Sequence, residues 1–114
     1  MIYLCSVYSL NADEELMERR AKYARTRTAE FLNQEIPVFS PIAHCHEISK
    51  ENKMPGSWDF WEILDYQYID ACDEIWVLQM PGWQESTGIT AEIKYAKSLK
   101  KPIKYIPCED YNEL

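Results

Sequence analysis

The apolar residues of this chain form short continuous runs that alternate with longer stretches repeating every three or four residues. Short runs of mostly apolar residues are typical of strands covered on both faces, as in a parallel sheet. Such runs predict strands at residues 2–7, 36–40, 74–79 and 103–106. Pro37 lies near the start of the second run, where a strand tolerates a residue without a backbone N–H.

The stretches between these runs carry apolar residues at helical spacing. Residues 13–33 predict a long amphipathic helix, and we interpret the arginines at its other positions as a solvated face. A second helix is predicted to begin after a cap at Ser57, with a buried stripe of Trp61, Leu64, Tyr68 and Cys72. A third covers residues 89–99 and ends before Pro102.

Residues 41–56 follow the second strand and are predicted to form a polar loop that carries His44 and His46. This loop leaves the carboxyl end of a strand, the edge at which open α/β sheets bind ligands. We therefore expect the two imidazoles to contact substrate or to hold the loop by hydrogen bonds. No third ligand stands at a recognisable spacing, so we expect no metal.

Strands and helices that alternate along the chain indicate an α/β fold with right-handed crossovers. We predict a small doubly wound, flavodoxin- or Rossmann-like parallel sheet of about four strands flanked by helices, in a single domain spanning residues 1–114. The first strand is not followed by Gly-x-Gly-x-x-Gly, which argues against a dinucleotide site. We expect no cofactor.

Charge and composition exclude several classes of protein. A formal net charge of −7 over 114 residues argues against a nucleic-acid polymer as partner, although one pocket can still bind a phosphorylated small molecule. No apolar run approaches the roughly 18 residues that cross a bilayer, so we expect no membrane association and a cytoplasmic protein. The four cysteines are widely spaced and form no Cys-x-x-Cys, which favours reduced thiols.

The stretch from residue 82 to residue 96 contains the strongest candidate site. It follows the third strand and leads into the third helix, which Ser86 or Thr87 is predicted to cap. A hydroxyl beside free backbone N–H groups, at the positive end of a helix dipole, suits an anion such as a phosphate. Glu92 follows about one and a half turns into the helix and is expected to face the same cleft.

Asp65 is a second acidic candidate, on the flank of the stripe predicted for the second helix. It lies one turn after Trp61 and one before Ile69, so it is expected to border the core. A carboxylate that borders the core needs an ionic or hydrogen-bonding partner, or a functional role, to account for the cost of its burial. The alternative is an ordinary surface aspartate on a helix.

Three motifs together resemble the nucleoside 2-deoxyribosyltransferase superfamily, including its 2′-deoxynucleoside 5′-monophosphate N-hydrolases. They are Tyr-Leu-x-Ser-x-Tyr-Ser at residues 3–9, Ser-Pro-Ile-Ala-His-x-His at residues 40–46 and Pro-Gly-Trp-x-Glu-Ser-x-Gly-x-x-x-Glu at residues 81–92. The sequence is most similar to a short uncharacterised branch of that superfamily. The resemblance spans most of the chain and also implies a homo-oligomer.

The resemblance implies that Glu92 is the nucleophile, that Tyr3 hydrogen-bonds and orients it, and that Asp65 faces the nucleobase. Ser86 falls where the hydrolases bind a 5′-phosphate, because a hydroxyl at a helix N-terminus attracts the phosphate that a carboxylate would repel. The other expected substrate contacts are Ser6, Gly88, His44, His46 and Trp83.

These implied roles fit the chemistry of a retaining glycosidase, in which a carboxylate attacks C1′ of the sugar while an acid protonates the departing base. The favoured reading is hydrolysis of the N-glycosidic bond of a 5′-monophosphate. A deoxyribosyltransferase, in which a second base receives the sugar, is the first alternative. The second is a non-catalytic pocket that binds or senses a nucleotide-derived ligand, since a fold positions a site without defining its chemistry.

Overall fold

Strands and helices alternate in the computed structural model of the chain, which describes residues 1–111. The strands are β1 (Ile2–Cys5), β2 (Val38–Phe39), β3 (Glu74–Gln79) and β4 (Ile103–Pro107). The helices are α1 (Glu14–Asn33), α2 (Pro41–Asn52), α3 (Trp58–Ala71) and α4 (Thr87–Ser98), and a 3₁₀ turn (Trp83–Glu85) precedes α4. None of the helices within residues 1–111 combines the length and the apolar character of a transmembrane segment.

The four strands form one parallel sheet in the order β2-β1-β3-β4, which confirms the predicted doubly wound, Rossmann-like α/β fold. β1 pairs with a strand on each side, so that Tyr3 lies opposite Phe39 in β2 and opposite Ile75 in β3. β1 and β2 contain four and two residues and are shorter than predicted. β2 is an edge strand that pairs with β1 at only two positions.

The two crossover connections next to β1 run in opposite directions across the sheet. α1 leads to β2 on one side of β1, whereas α2 and α3 lead back past β1 to β3 on the other side. Right-handed crossovers therefore put α1 on one face of the sheet and α3 and α4 on the other, and α3 packs against α4. This reversal creates a crevice at the carboxyl ends of β1 and β3, where doubly wound sheets bind their ligands.

The two central strands are almost entirely buried, as their continuous apolar runs predict. Burying one aliphatic side chain of the size of leucine or isoleucine contributes about 1.5–3 kcal/mol. The loops at the carboxyl ends of β1 and β3 therefore begin from well-anchored positions. The buried members of the two strands are Tyr3, Leu4, Cys5, Ile75, Trp76, Val77 and Leu78.

The prediction of a loop over residues 41–56 is wrong, because Pro41–Asn52 forms helix α2. The side chain of Ser40 caps this helix by accepting a hydrogen bond from the backbone N–H of Ala43, and Pro41 occupies its first turn. Serine followed by proline is a favourable start for a helix, since proline has no N–H to leave unsatisfied and its φ is already helical. The polar composition of the segment concealed this signal.

The prediction for α3 is correct in the position of its cap and wrong in part of its buried stripe. Ser57 stands at the cap position but makes no side-chain capping hydrogen bond. Leu64 is exposed, whereas Ile69 is the fully buried residue of the helix. Asp65, which was expected to border the core, is half-buried and lines the cavity.

Arg20 departs from the solvated basic face predicted for α1. Its side chain is 3% exposed, and its guanidinium donates hydrogen bonds to the backbone carbonyls of Tyr8 and Leu10. Arg20 thereby fastens the segment after β1 to α1. A buried guanidinium is tolerated because these carbonyls replace the water that it loses.

Candidate active site

A cavity of about 710 Å³ opens in the crevice at the carboxyl end of β1. Its walls come from the segment after β1, the first half of α1, helix α2, the start of α3 and the first turns of α4. Five polar residues expected to form the site line it: Ser6, His46, Asp65, Ser86 and Glu92. The sheet topology therefore brings together residues from four separate segments.

Glu92 lies on the buried side of α4 between Ile89 and Ala96, and its side chain is only 6% exposed. The hydroxyl of Tyr3 donates a hydrogen bond to its carboxyl group. Burial raises the pKa of Glu92 to about 8, with a further contribution from the charge of Asp65, whereas the hydrogen bond from Tyr3 opposes this rise. Burial beside a second acid therefore favours the protonated form of Glu92 more than water does for an ordinary glutamate.

Asp65 lies beside the same tyrosine. Burial raises the pKa of Asp65 to about 6, and a hydrogen bond from Tyr3 opposes the rise. Burial also raises the pKa of Tyr3 well above its ordinary value, so its hydroxyl remains a donor at neutral pH. Both carboxyl groups therefore lie beside the same phenol at a site with little water. Because the two groups interact, they lose their protons in two coupled steps.

The start of α4 forms the part of the cavity wall that suits an anion. Ser86 caps the helix by accepting a hydrogen bond from the backbone N–H of Ile89 at 3.2 Å, as predicted. The backbone N–H groups of Thr87 and Gly88 belong to the first turn, for which a helix supplies no acceptor of its own. Both residues line the cavity together with Ser86. The positive end of the helix dipole therefore faces the cavity.

Gly88 also sets the distance between α4 and the aromatic residue at the start of α3. A Cβ atom at Gly88 would stand 3.3 Å from the ring of Trp58, which is closer than such contacts normally come. Trp58 and Trp61 both line the cavity. Glycine at this position thus allows an indole ring to lie beside the turn that suits an anion.

Ser6 supplies a buried hydroxyl with no hydrogen-bond partner among residues 1–111. The residue is 7% exposed and lines the cavity. Leaving a buried hydroxyl unsatisfied costs about 1–3 kcal/mol. A polar group of a bound ligand would remove this cost, which fits the expected substrate contact.

His46 lines the cavity at the centre of a hydrogen-bonded row. Its Nδ1 lies 2.5 Å from the hydroxyl of Tyr8, and its Nε2 is bonded to the carboxylate of Glu18. Sequence reasoning singled out His46 but neither partner. Tyr8 belongs to the first motif, which was the available signal, whereas nothing in the sequence distinguishes Glu18 from its acidic neighbours on α1.

Donor atoms close enough to hold a metal occur in one group within the described part of the chain. It consists of Glu18, His46 and Glu47, with donor atoms within 4.8 Å of one another. His46 Nε2 is already bonded to Glu18, and Arg25 lies 3.3 Å from the same carboxylate. We therefore interpret the group as a network of hydrogen bonds and ion pairs.

His44 and Trp83 do not reach the cavity, contrary to the expected substrate contacts. His44 is exposed and lies near the ring of Phe39. Residues two apart in a helix point about 200° apart, so α2 can turn only one of its two histidines toward the cavity. Trp83 sits in the 3₁₀ turn and packs against Tyr105 of β4.

A family profile described as Domain of unknown function (DUF1937) matches residues 1–106. The chain belongs to this family. The matched range includes all five polar residues of the cavity wall and the whole sheet except the last residue of β4. A search of curated proteins gives no significant match.

Proposed function

We propose that this DUF1937 domain cleaves the N-glycosidic bond of a nucleotide, with a nucleoside 5′-monophosphate as substrate and water as acceptor. The observation that carries the proposal is the buried carboxyl of Glu92, which is hydrogen-bonded by Tyr3, lies beside Asp65 and lines a cavity large enough for a nucleotide. The motif resemblance assigned these same three residues to one reaction centre.

Glu92 is the proposed nucleophile. Its carboxylate attacks C1′ as the bond to the base breaks, which forms a glycosyl ester through an oxocarbenium-like transition state. Tyr3 holds one carboxylate oxygen so that the other can face the sugar. Positive charge that develops on the sugar stabilises the carboxylate form of Glu92, which the empty cavity disfavours.

Asp65 is the proposed acid that protonates the departing base. The pair must then hold its proton on Asp65 when substrate is bound, and burial raises the pKa of both carboxyl groups. A base that covers Asp65 removes more water from it and raises its pKa, while the sugar next to Glu92 has the opposite effect. Substrate binding therefore moves the proton between the two carboxyl groups.

The start of α4 is the proposed phosphate site. Ser86 retains its O–H as a donor while its oxygen accepts from Ile89, and the first-turn N–H groups add further donors. Lys50 and Lys53 also line the cavity and supply positive charge in a protein whose net charge is −7. The rings of Trp58 and Trp61 are placed to stack on the base.

The test is release of free base from a panel of nucleosides and nucleotides, followed by chromatography. We expect the unmodified protein to release base and Glu92→Ala to lose this activity by at least about 10³-fold. Glu85→Ala is the matched control, because Glu85 is exposed in the preceding turn and does not line the cavity. Base release by Glu92→Ala at the control rate would contradict the mechanism. Adding a free acceptor base distinguishes transfer from hydrolysis, because transfer yields a new nucleoside.

Non-catalytic binding of the same ligand is the second candidate. It is favoured by the raised pKa of Glu92, since a neutral carboxyl group donates a hydrogen bond to a ligand and does not attack it. Calorimetry with a 5′-monophosphate separates the two candidates. Binding that persists in Glu92→Gln, with no base released by either protein, supports the binding role.

The homo-oligomer remains a prediction. α3 leaves Phe60, Ile63 and Leu64 exposed, a set of apolar side chains of the kind found at subunit interfaces. Sedimentation equilibrium measures the assembly state. A mass of 13.5 kDa across the concentration range would contradict the prediction.

A further inference from the structure

Tyr8, His46 and Glu18 form a continuous hydrogen-bonded row along the cavity wall. All three residues line the cavity, and His46, at the centre, is 5% exposed. The Tyr8 hydroxyl lies 2.5 Å from His46 Nδ1, while His46 Nε2 is bonded to Glu18. Glu18 is 40% exposed, so the hydrogen-bonded row reaches solvent at this residue. A buried imidazole with both nitrogens engaged is thus held in one orientation.

The partners determine which atoms carry the protons. The hydrogen bond from His46 lowers the pKa of Glu18, so Glu18 is a carboxylate and accepts the Nε2–H. In the tautomer that carries its proton on Nε2, Nδ1 has a lone pair to which the Tyr8 hydroxyl donates. Glu47, 4.0 Å from Nε2, and Arg25, on the far side of Glu18, are the other charged groups at this end. The order of hydroxyl, imidazole and carboxylate is that of a catalytic triad.

We propose that Tyr8, backed by His46 and Glu18, is the general base that activates the attacking water in the second half of the reaction. This inference rests on the proposed function. Water attacks C1′ of the Glu92 ester, and Glu92 leaves as a carboxylate with the electron pair of the broken bond. The water proton passes to the Tyr8 oxygen while the phenolic proton passes to His46 Nδ1. The resulting imidazolium is paired with Glu18 and then releases its proton to solvent.

Tyr8, Ser6 and Glu92 line the same cavity, which suits this role. Tyr8 follows Ser6 at the carboxyl end of β1, and the unpartnered hydroxyl of Ser6 offers a second hydrogen bond to a water molecule in the same cavity. Arg20 binds the backbone carbonyl of Tyr8 at 2.9 Å and so holds the residue in place. The base is thereby separate from Asp65, the proposed acid.

The experiment compares the two half-reactions in Tyr8→Phe, which keeps the ring and removes only the hydroxyl. We expect rapid-quench measurements to show a first burst of free base close to that of the unmodified protein. Steady-state turnover should fall by about 10²–10³-fold, the usual effect of losing a general base. Intact-mass measurement should show one sugar phosphate attached per chain, and peptide mapping should place it on Glu92.

Two further variants separate catalysis from structural damage. Glu18→Gln keeps a hydrogen-bond acceptor without the charge, so kcat should fall several-fold with little change in KM. Tyr105→Phe is the control, because Tyr105 packs against Trp83 outside the cavity and should turn over normally without an adduct.

The possible outcomes distinguish the inference from the proposed function. Normal turnover by Tyr8→Phe, while Glu92→Ala is inactive, overturns the inference alone and leaves Asp65, the acid of the first half, as the base of the second. Parallel loss of the burst and of turnover without an adduct also overturns it, because Tyr8 would then act in binding. An adduct that maps to Tyr8 of the unmodified protein overturns it as well. Failure of the unmodified protein to release any base overturns the proposed function.

Discussion

The hydroxyl of Tyr3 donates a hydrogen bond to the carboxyl of Glu92 across 89 positions of sequence. Tyr3 comes from the central strand β1 and Glu92 from the buried side of α4, and Asp65 of α3 lies beside both. A carboxyl group is stable in this position because the phenol offsets part of the cost of burial. The three residues therefore form one group that is coupled by hydrogen bonds and charge.

Replacing Tyr3 by phenylalanine should reduce activity and shift its pH dependence. Because the hydrogen bond from Tyr3 lowers the pKa of Glu92, its removal raises that pKa above about 8 and decreases the carboxylate fraction at pH 7. We expect kcat to fall by about 10- to 100-fold and the acid limb of the kcat/KM profile, which reports the free enzyme, to move to higher pH. Kinetics from pH 5 to 9 test this, with Tyr105→Phe as control. An unmoved acid limb would show that Tyr3 does not set the ionisation of Glu92.

Glu92→Gln should stabilise the folded protein at high pH. The pKa of Glu92 is about 8 in the folded protein, whereas a solvated glutamate of the unfolded chain has a pKa of 4.5, so the folded state binds more protons between these values. The free energy of unfolding therefore decreases as pH rises through this window, and a neutral amide removes that decrease. Urea denaturation at pH 5 and pH 8.5 should show a smaller difference for Glu92→Gln than for the unmodified protein. Equal differences would contradict the burial of a titrating carboxyl.

Ser86→Asp should discriminate against a phosphorylated substrate while keeping the helix. Aspartate caps a helix about as well as serine, but its charge repels a 5′-phosphate at the same position. We expect kcat/KM for the monophosphate to fall by about 10- to 100-fold relative to the matching nucleoside. Circular dichroism checks that α4 is intact. A ratio that does not change would place the phosphate elsewhere in the cavity.

Arg20→Met should destabilise the fold by about 2–4 kcal/mol, because it leaves two carbonyl groups without their buried donor. These carbonyls belong to Tyr8 and Leu10, at distances of 2.9 and 2.7 Å from the guanidinium. The measurement is the free energy of unfolding in urea. Lys22→Met, at an exposed position of the same helix, is the control and should change stability by less than about 0.5 kcal/mol. Similar values for both variants would mean that the buried hydrogen bonds of Arg20 contribute nothing.

Several elements could be predicted from the sequence because their signals are local. The apolar runs of β1 and β3 and the Ser86 cap of α4 are each encoded within a few neighbouring residues, and the structure has all three. The start of α2 was equally local, at Ser40 and Pro41, but a polar composition led to the wrong prediction of a loop. Missing that helix also misplaced His44, since the direction of a side chain depends on the element that carries it.

The sequence by itself determined the alternation of strands and helices, the parallel sheet and the placing of Glu92 shortly after a helix start. The motif resemblance implied the contact between Tyr3 and Glu92. Only the tertiary structure decided that Glu92 is buried, that Arg20 is buried and that Tyr8 and Glu18 enclose His46. The physical reason is that the spacing of apolar residues and the capping of helices involve residues within one or two helical turns of each other. The burial, pKa and hydrogen-bond partners of a side chain depend instead on how distant segments of the chain pack, because each segment excludes water from the others.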